Sequence, residues 1–257
     1  MNLEKYDWKF KLFGIPVRVT VAFWLICVLF SPFANNMGGP WLFGLLGWSA
    51  AVFLSFLGHE LGHALAIKKL CGVTPRIDLG FGRTSNNAFV FGGLTSAQYA
   101  NAISPLARAF IALAGPLLEI ALVVVFVAIL VLWGFRFQLQ FLFGFIPYMN
   151  LVEFPFGEGG NLAALYFASL FVDGFIWVGL VWGIFNLSPV YPMDGGQILL
   201  AVLFQAYGAR GVRVALTISL LCAVALGFLF LKTGAYFMAF FLFFSAYQNF
   251  QQLNSRR

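Results

Sequence analysis

Long apolar runs separated by short polar segments dominate the chain. Six of them reach or approach the ~20 residues that a helix needs to cross ~30 Å of hydrocarbon. They cover about residues 15–31, 41–70, 105–133, 162–187, 212–231 and 235–250. A further aromatic stretch, 135–156, is interrupted by charged residues and prolines, and we expect it to lie at the membrane interface. The pattern predicts an all-α polytopic membrane protein with about six transmembrane helices.

One polar segment is typical of a β-hairpin. Residues 72–98 are rich in glycine, and the stretches 76–81 and 88–94 flank a Thr-Ser-Asn-Asn sequence at 84–87. Strand-forming runs on either side of turn-forming residues favour two paired strands. We therefore predict a small membrane-associated β-hairpin between the second and third spans.

Composition agrees with this pattern. Hydrophobic residues make up 61% of the chain and charged residues 9%, against roughly 25% charged residues in an average soluble domain. The mean hydropathy is +0.91, so lipid is the expected solvent. We expect a single domain over residues 1–257, with a core over about 10–200 and a C-terminal helical pair over about 210–250.

The distribution of positive charge predicts the topology. Of the 15 lysines and arginines, all except Arg136 and Lys232 fall on one side when the six spans are threaded from a cytoplasmic amino terminus. Cytoplasmic loops carry an excess of Lys and Arg, so we expect both termini to be cytoplasmic. The net charge of +6 then follows from membrane topology. We expect no nucleic-acid partner, because that function needs a basic patch in polar surroundings.

The second apolar run contains the motif His-Glu-Leu-Gly-His at residues 59–63. His59 and His63 are one helical turn apart on one face, so both can bind one zinc ion, and Glu60 can reach a water molecule on that ion. The alternative to a metal site is that the two histidines only pack in the core of the protein. These are the only 2 histidines of the chain, and ionisable side chains in a span cost about 2.5 kcal/mol or more. We therefore expect one Zn²⁺ per chain.

The third zinc ligand is expected to be a carboxylate. A catalytic site has three protein ligands and one open position, and the chain offers no third histidine and no suitably placed cysteine. Glu119, Asp173 and Asp194 are the candidates. His59 and His63 lie roughly 8–14 Å inside the cytoplasmic boundary. Asp194 follows the span that ends on that side, Asp173 lies near the opposite side, and Glu119 is deeper, which favours Asp194 and leaves Glu119 as the alternative.

The motif at 59–63 combined with Asn-Leu-Ser-Pro-Val-Tyr-Pro-Met-Asp-Gly-Gly at 186–196 resembles the site-2 protease family of intramembrane zinc metalloproteases. The resemblance covers roughly residues 10–200. It implies that His59, His63 and Asp194 bind zinc and that Glu60 is the catalytic acid and base.

The same resemblance implies contacts with a substrate. Asn186 and Pro189 would shape the substrate cleft, and the hairpin around Gly92 and Gly93 would present an edge to an extended peptide, which could add to it as a strand. One position departs from the family pattern, because Glu119 stands where the family commonly has Asn or a small residue. We expect Glu119 to bond a neighbour in protonated form, to tune the zinc site or to alter substrate choice. A compact form without PDZ or CBS domains is expected.

These features predict hydrolysis of a peptide bond in or near the transmembrane helix of a single-span, membrane-tethered protein, as in regulated intramembrane proteolysis. We expect a multi-pass protein of a prokaryotic cell membrane, with the active site in the bilayer toward the cytoplasm. The alternatives are a metal transporter and a catalytically silent relative that retains membrane proteins. Glu60 disfavours both, because transport needs no general base beside a ligand and silent relatives usually lose such residues.

Overall fold

The computed structural model describes residues 3–31, 40–83, 89–97, 103–142, 146–153 and 161–255. Its helices are α1 (Val21–Leu29), α2 (Trp41–Cys71), α3 (Pro105–Leu132), α4 (Leu162–Trp177), α5 (Gly183–Asn186), α6 (Asp194–Tyr207), α7 (Ala209–Lys232) and α8 (Tyr236–Asn254). A π-helical turn, Val178–Trp182, connects α4 to α5. Its strands are β1 (Trp8–Leu12), β2 (Ile15–Val19), β3 (Arg76–Arg83), β4 (Phe89–Ser96), β5 (Arg136–Leu142) and β6 (Ile146–Glu153).

Four helical segments of the described chain are long and apolar enough to cross a membrane. They are α2, α3, the continuous helix from α4 through α5 (Leu162–Asn186), and α7. These segments coincide with the second to fifth predicted spans, and they make the chain an integral membrane protein. Helix α8 corresponds to the sixth and has 19 residues, but Gln248, Asn249 and Gln251 make its second half polar.

The prediction of a continuous helical first span over 15–31 is wrong. Ile15–Val19 is strand β2, and α1 has 9 residues, which extend only about 14 Å at the rise of an α-helix. The side chains of Ile15, Val17 and Val19 are buried and alternate with partly exposed ones. Alternation with a period of two is the pattern of a strand. Because this strand is followed directly by the apolar helix α1, the two elements look like one apolar run in the sequence.

The main sheet has the strand order β1-β2-β3-β4. Strands β1 and β2 pair antiparallel, as do β3 and β4, whereas β2 and β3 are parallel. Parallel neighbours need a crossover connection, which contains α1 and α2. Strands β3 and β4 correspond to the predicted hairpin, and its predicted turn at 84–87 lies outside the described residues. The amino-terminal segment is thereby brought to the carboxyl end of α2, where Lys68 Nζ donates to the Phe13 carbonyl at 3.1 Å.

The aromatic segment expected at the interface contains a second sheet, which the sequence did not predict. Strands β5 and β6 pair antiparallel, and β6 contacts α4. The Leu151 N–H donates to Asp173 Oδ1 at 2.7 Å. About 20 Å of helix separates Asp173 from Asn186. This hairpin and Asp173 therefore lie far from the carboxyl end of α5.

Polar side chains lie inside the helical bundle, and large apolar ones lie outside. Ser55, Glu60 and Glu119 are buried, whereas Val124 and Leu132 are 58% and 84% exposed. Ionisable groups in a membrane protein face the bundle interior because lipid does not solvate them. Any polar site in the spans therefore lies between the helices.

Close packing of α2 against α4 generates a first prediction. A side chain at Gly47 would overlap the backbone carbonyl oxygen of Phe167, so Gly47→Val should destabilise the fold by about 1–3 kcal/mol. The measurement is the apparent melting temperature of the purified protein in detergent, which should fall by several degrees.

The matched control for this prediction is the neighbouring Leu46, whose side chain is 51% exposed. Leu46→Ala should change the melting temperature much less than Gly47→Val does. Equal melting temperatures for Gly47→Val and the unaltered protein would contradict the packing.

Candidate metal centre

Helix α2 carries both histidines of the chain on a buried face. His59 and His63 are 3% and 8% exposed, and Glu60 is 5% exposed. The centroids of the two imidazole rings are 4.8 Å apart, and their Nε2 atoms are 3.1 Å apart. The spacing of four residues thus directs two ring nitrogens to one point inside the bundle.

Asp194, the first residue of α6, completes a group of three candidate ligands. Its Oδ2 lies 3.0 Å from His59 Nε2 and 3.3 Å from His63 Nε2. One candidate ligand atom from each residue lies within 4.8 Å of the other two. The structure therefore brings together the three residues that the sequence singled out. Asp173, the candidate at the opposite side, is remote from them.

The imidazole orientations fit metal binding through Nε2. His63 Nδ1 lies 2.7 Å from the Ile111 carbonyl oxygen, which can only accept, so Nδ1 carries the proton and Nε2 keeps a lone pair. His59 Nδ1 lies 2.8 Å from Glu119 Oε2, and a proton on Nδ1 that is donated to this oxygen leaves the lone pair on Nε2. Two imidazole lone pairs and one carboxylate oxygen then converge. This donor set and its outer hydrogen bonds are those of protein zinc sites.

Helix α3 supplies both of these outer contacts. Ile111 and Glu119 lie on the same side of α3, two turns apart, and Gly115 lies between them. A side chain at Gly115 would overlap the His63 ring. Glu119, the alternative ligand of the sequence analysis, is not in the three-residue metal group. It contacts His59 at Nδ1, whereas Asp194 lies at Nε2.

The loop between α5 and α6 contains two of the predicted substrate-binding residues. Asn186 Nδ2 donates to Asp194 Oδ2 at 2.9 Å and lies 3.1 Å from His59 Nε2. Asn186 therefore lies at the metal group itself. Pro189 lies in the same loop and is not among the described residues that line the adjoining cavity.

Strand β4 lies against Glu60. Thr95 Oγ1 is 2.7 Å from Glu60 Oε2 and 3.0 Å from the Glu60 carbonyl oxygen. Gly93 faces the same side chain, and a Cβ atom at this position would overlap it. Gly92, at φ +100°, packs against the Phe56 ring. Of the two glycines predicted to contact substrate, Gly93 thus lies beside Glu60 and Gly92 lies beside an aromatic core residue.

A cavity of about 240 Å³ opens onto the metal group. Residues Gly93 to Ala97 line it on the sheet side, and Pro192, Met193 and Gln197 line it on the side of α6. Strand β4 is at the end of the sheet, and among the described strands only β3 pairs with it. The cavity therefore joins His59, Glu60 and Asp194 to an open strand edge.

The C-terminal helical pair holds the loop that carries Asp194. The Tyr191 N–H donates to Ser219 Oγ of α7, and the Tyr191 carbonyl accepts from Asn249 Nδ2 of α8 at 2.8 Å. Ser219 and Asn249 are 1% and 0% exposed. Both backbone polar groups of Tyr191 are thus bonded by buried side chains, three residues before Asp194.

Several contacts of the site were missed by the sequence analysis. The Ile111 carbonyl is a backbone group in an apolar run, so no residue type marks it. Ser219 and Asn249 are polar residues within apolar helices, which is a signal of an inward-facing role. Thr95 lies close to the two singled-out glycines, and its alternation with Gly93 on one strand face was available from the sequence.

Comparison with known proteins agrees with this geometry. A sequence model of peptidase family M50 matches residues 48–230. A zinc metalloprotease of Methanocaldococcus jannaschii is 27% identical over 246 residues, which cover 93% of this chain and 59% of that protein. A Synechocystis protein named as a candidate zinc metalloprotease is 27% identical over 215 residues, 79% of this chain and 46% of that protein. This chain thus spans about half the length of these relatives.

A solved structure shares the fold. The site-2 protease from Methanocaldococcus jannaschii matches with a TM-score of 0.55 over 96% of this chain and 95% of that chain. The sequence identity is 22%, so the likeness concerns the arrangement of the helices and strands.

The bonds to Tyr191 generate a prediction for metal retention. Asn249→Leu should leave the buried Tyr191 carbonyl without a donor, at a cost of about 1–3 kcal/mol. The loop should loosen, and zinc affinity measured by chelator competition should fall at least several-fold.

The control for this experiment lies on the same helix. Gln251 donates to the Tyr247 hydroxyl at an exposed position, so Gln251→Leu should leave zinc affinity unchanged. If Asn249→Leu binds zinc as tightly as Gln251→Leu does, the loop does not depend on Asn249.

Proposed function

Since the chain belongs to peptidase family M50, we propose that it is a zinc-dependent intramembrane endopeptidase. Its substrate is a membrane-tethered protein, cut at a peptide bond in or near a transmembrane helix, as in regulated intramembrane proteolysis. The observation that carries the proposal is the convergence of His59, His63 and Asp194 beside Glu60, inside apolar helices and at one end of an open strand edge.

His59, His63 and Asp194 are the zinc ligands in this proposal. A zinc ion held there supplies a Lewis acid that polarises a peptide carbonyl and makes a water molecule more acidic. Asn186 donates to Asp194 and so fixes the direction of the carboxylate. Three protein ligands are the number found in catalytic zinc sites, and a zinc ion held by these residues would keep a position for the reacting groups.

Glu60 moves the proton in the proposed mechanism. It is adjacent to a ligand on α2 and lines the cavity, so its carboxylate can accept the proton of a water molecule there and pass it to the leaving amine. Thr95 Oγ1 donates to Glu60 Oε2 at 2.7 Å. The hydroxyl thereby limits the directions in which the carboxylate can point and leaves Oε1 for the proton.

Strand β4 is the proposed docking edge for the substrate. Backbone amides of an intact helix are hydrogen-bonded internally, so the substrate must unwind before hydrolysis. An unwound segment can then pair with β4 by strand addition, next to Gly93. Gly93 has no side chain, which lets the strand backbone lie close against Glu60, and Pro189 shapes the loop between α5 and α6.

We place the site toward the cytoplasm. The pairing of β1 with β2 and of β2 with β3 brings Lys9, Lys11 and Arg18 to the end of α2 that carries Lys68 and Lys69. Cations gather at cytoplasmic boundaries, and His63 and His59 of the metal group lie about 1.4 and 2.5 helical turns before Lys68. Water for hydrolysis would enter from this side.

Replacement of Glu60 tests the proposed activity. Glu60→Gln keeps the side-chain shape but does not accept the proton, so cleavage of a model single-span substrate by the purified protein should fall by about 10²–10⁴-fold. Zinc content should stay at one ion per chain. The control is Glu153→Gln, an exposed strand residue paired with Arg136, which should cleave normally.

The result that overturns the proposal is cleavage by Glu60→Gln at the rate of the unaltered protein. Zinc uptake into proteoliposomes without proteolysis would instead show a transporter.

Thr95 provides a second test of the same mechanism. A hydrogen bond to a charged acceptor contributes about 1.5–3 kcal/mol, so Thr95→Val should lower kcat about tenfold to a hundredfold without loss of zinc. Thr95→Ser keeps the hydroxyl and should retain most of the activity. Equal kcat values for the two variants would show that the hydroxyl does not orient Glu60.

A further inference from the structure

Glu119 is the buried acid that the proposed mechanism does not use. It is 1% exposed, and among the described residues it belongs neither to the metal group nor to the cavity lining. An ionisable side chain within a span costs about 2.5 kcal/mol or more. A residue kept at such a cost needs a contact that offsets it.

The contact of Glu119 is with one ring nitrogen of His59. Oε2 lies 2.8 Å from Nδ1, whereas the Nε2 atom of the same ring lies 3.0 Å from Asp194 Oδ2. We propose that Glu119 is a positioning residue for the metal site. Its Oε2 accepts the Nδ1–H of His59 and so fixes the tautomer and the ring orientation that direct the Nε2 lone pair to the metal.

The direction of this hydrogen bond follows from the metal site. If Glu119 donated a proton to Nδ1, the neutral ring would carry its own proton on Nε2, and that nitrogen would have no lone pair for a metal. A metal ligand at Nε2 therefore requires Nδ1 to donate and Glu119 to accept. A carboxylate acceptor also makes the imidazole a more basic ligand.

The surrounding helices hold the Glu119 carboxylate in place. A Cβ atom built at Gly183 of α5 would lie only 3.2 Å from Oε2, and one built at Gly179 of the π-helical turn would overlap the Val123 side chain. The two glycines thus let the π-helical turn and α5 pack closely against α3 around Glu119. The carboxylate has little room to turn away from His59.

The two histidines are supported differently. The Ile111 carbonyl that accepts from His63 is a backbone group, and substitution of Ile111 leaves it in place. The acceptor for His59 is a side chain, so the orientation of this ligand depends on residue 119. The inference rests on the proposed zinc site but not on the proteolytic step.

Zinc affinity without substrate is the test. The full chain is purified in detergent, stripped of metal, and titrated with zinc against a chelator. Glu119→Met, which removes the acceptor at similar volume, should weaken binding about 10–100-fold, and Glu119→Ala should do the same without added bulk. Glu119→Gln can still accept through its amide oxygen and should recover most of the affinity.

Cobalt-loaded protein gives a second readout that mere destabilisation would not change. The visible absorption bands of Co²⁺ depend on ligand geometry, so they should shift in Glu119→Met and stay close to those of the unaltered protein in Glu119→Gln. The control is Asp173→Asn, a span acid that accepts from Leu151 far from the metal group. Its zinc affinity and cobalt spectrum should not change.

The inference is overturned if either Glu119→Met or Glu119→Ala binds zinc as tightly as the unaltered protein. It is also overturned if Asp173→Asn loses as much affinity as they do, because the effect would then be general destabilisation. Failure of the unaltered protein to bind zinc would instead reject the proposed function. Zinc binding without proteolysis leaves the role of Glu119 standing.

Discussion

Two imidazole nitrogens and a carboxylate oxygen face one another within 3.0–3.3 Å inside an apolar helical bundle. Acceptor atoms that converge in this way repel one another, and lipid offers no water to separate them. A cation bound between these atoms replaces the repulsion with attraction. Several parts of the fold keep these three atoms together. The two imidazoles have different hydrogen-bond partners on α3, and the carboxylate comes from another helix, α6.

Each helix supplies or supports a different part of the metal group. Helix α2 supplies the two imidazoles, and α3 holds both rings from behind through Ile111 and Glu119. The break between α5 and α6 brings Asp194 to the metal group at the start of a new helix. Helices α7 and α8 then fix that break by bonding both backbone groups of Tyr191. A single zinc site thus depends on side chains from the second to the last helix.

The sheet adds the element that a helical bundle lacks, an open backbone edge. Strand β4 contacts Glu60 through Thr95 and borders the same cavity as the metal group. The proposed peptide hydrolysis would need an extended backbone near Glu60, and strand pairing is a common way in which proteins hold one. The crossover from β2 to β3 anchors this edge to the amino-terminal hairpin. Glu60 of α2 therefore faces the main sheet directly.

The sequence by itself determined the features that depend on residue spacing along the chain or on how hydrophobic a segment is. Run lengths gave the four long apolar helices, the i, i+4 rule gave His59 and His63 on one face, and membrane depth favoured Asp194 over Asp173. Strand β2 was missed, because its alternating Ile15, Val17 and Val19 run directly into α1. Strands β5 and β6 were also missed, and the aromatic segment that contains them was expected only to lie at the membrane interface.

Only the tertiary structure decided which groups stand behind the ligands. The Ile111 carbonyl, Thr95 and Asn249 lie 48, 35 and 58 residues from their partners, and no local pattern specifies such pairs. Glu119 shows the difference most clearly. The sequence marked it as an alternative zinc ligand and as a departure from the family pattern. The crossing of α2 and α3 determined that it meets His59 at Nδ1, because helix packing sets the rotation of one span against another.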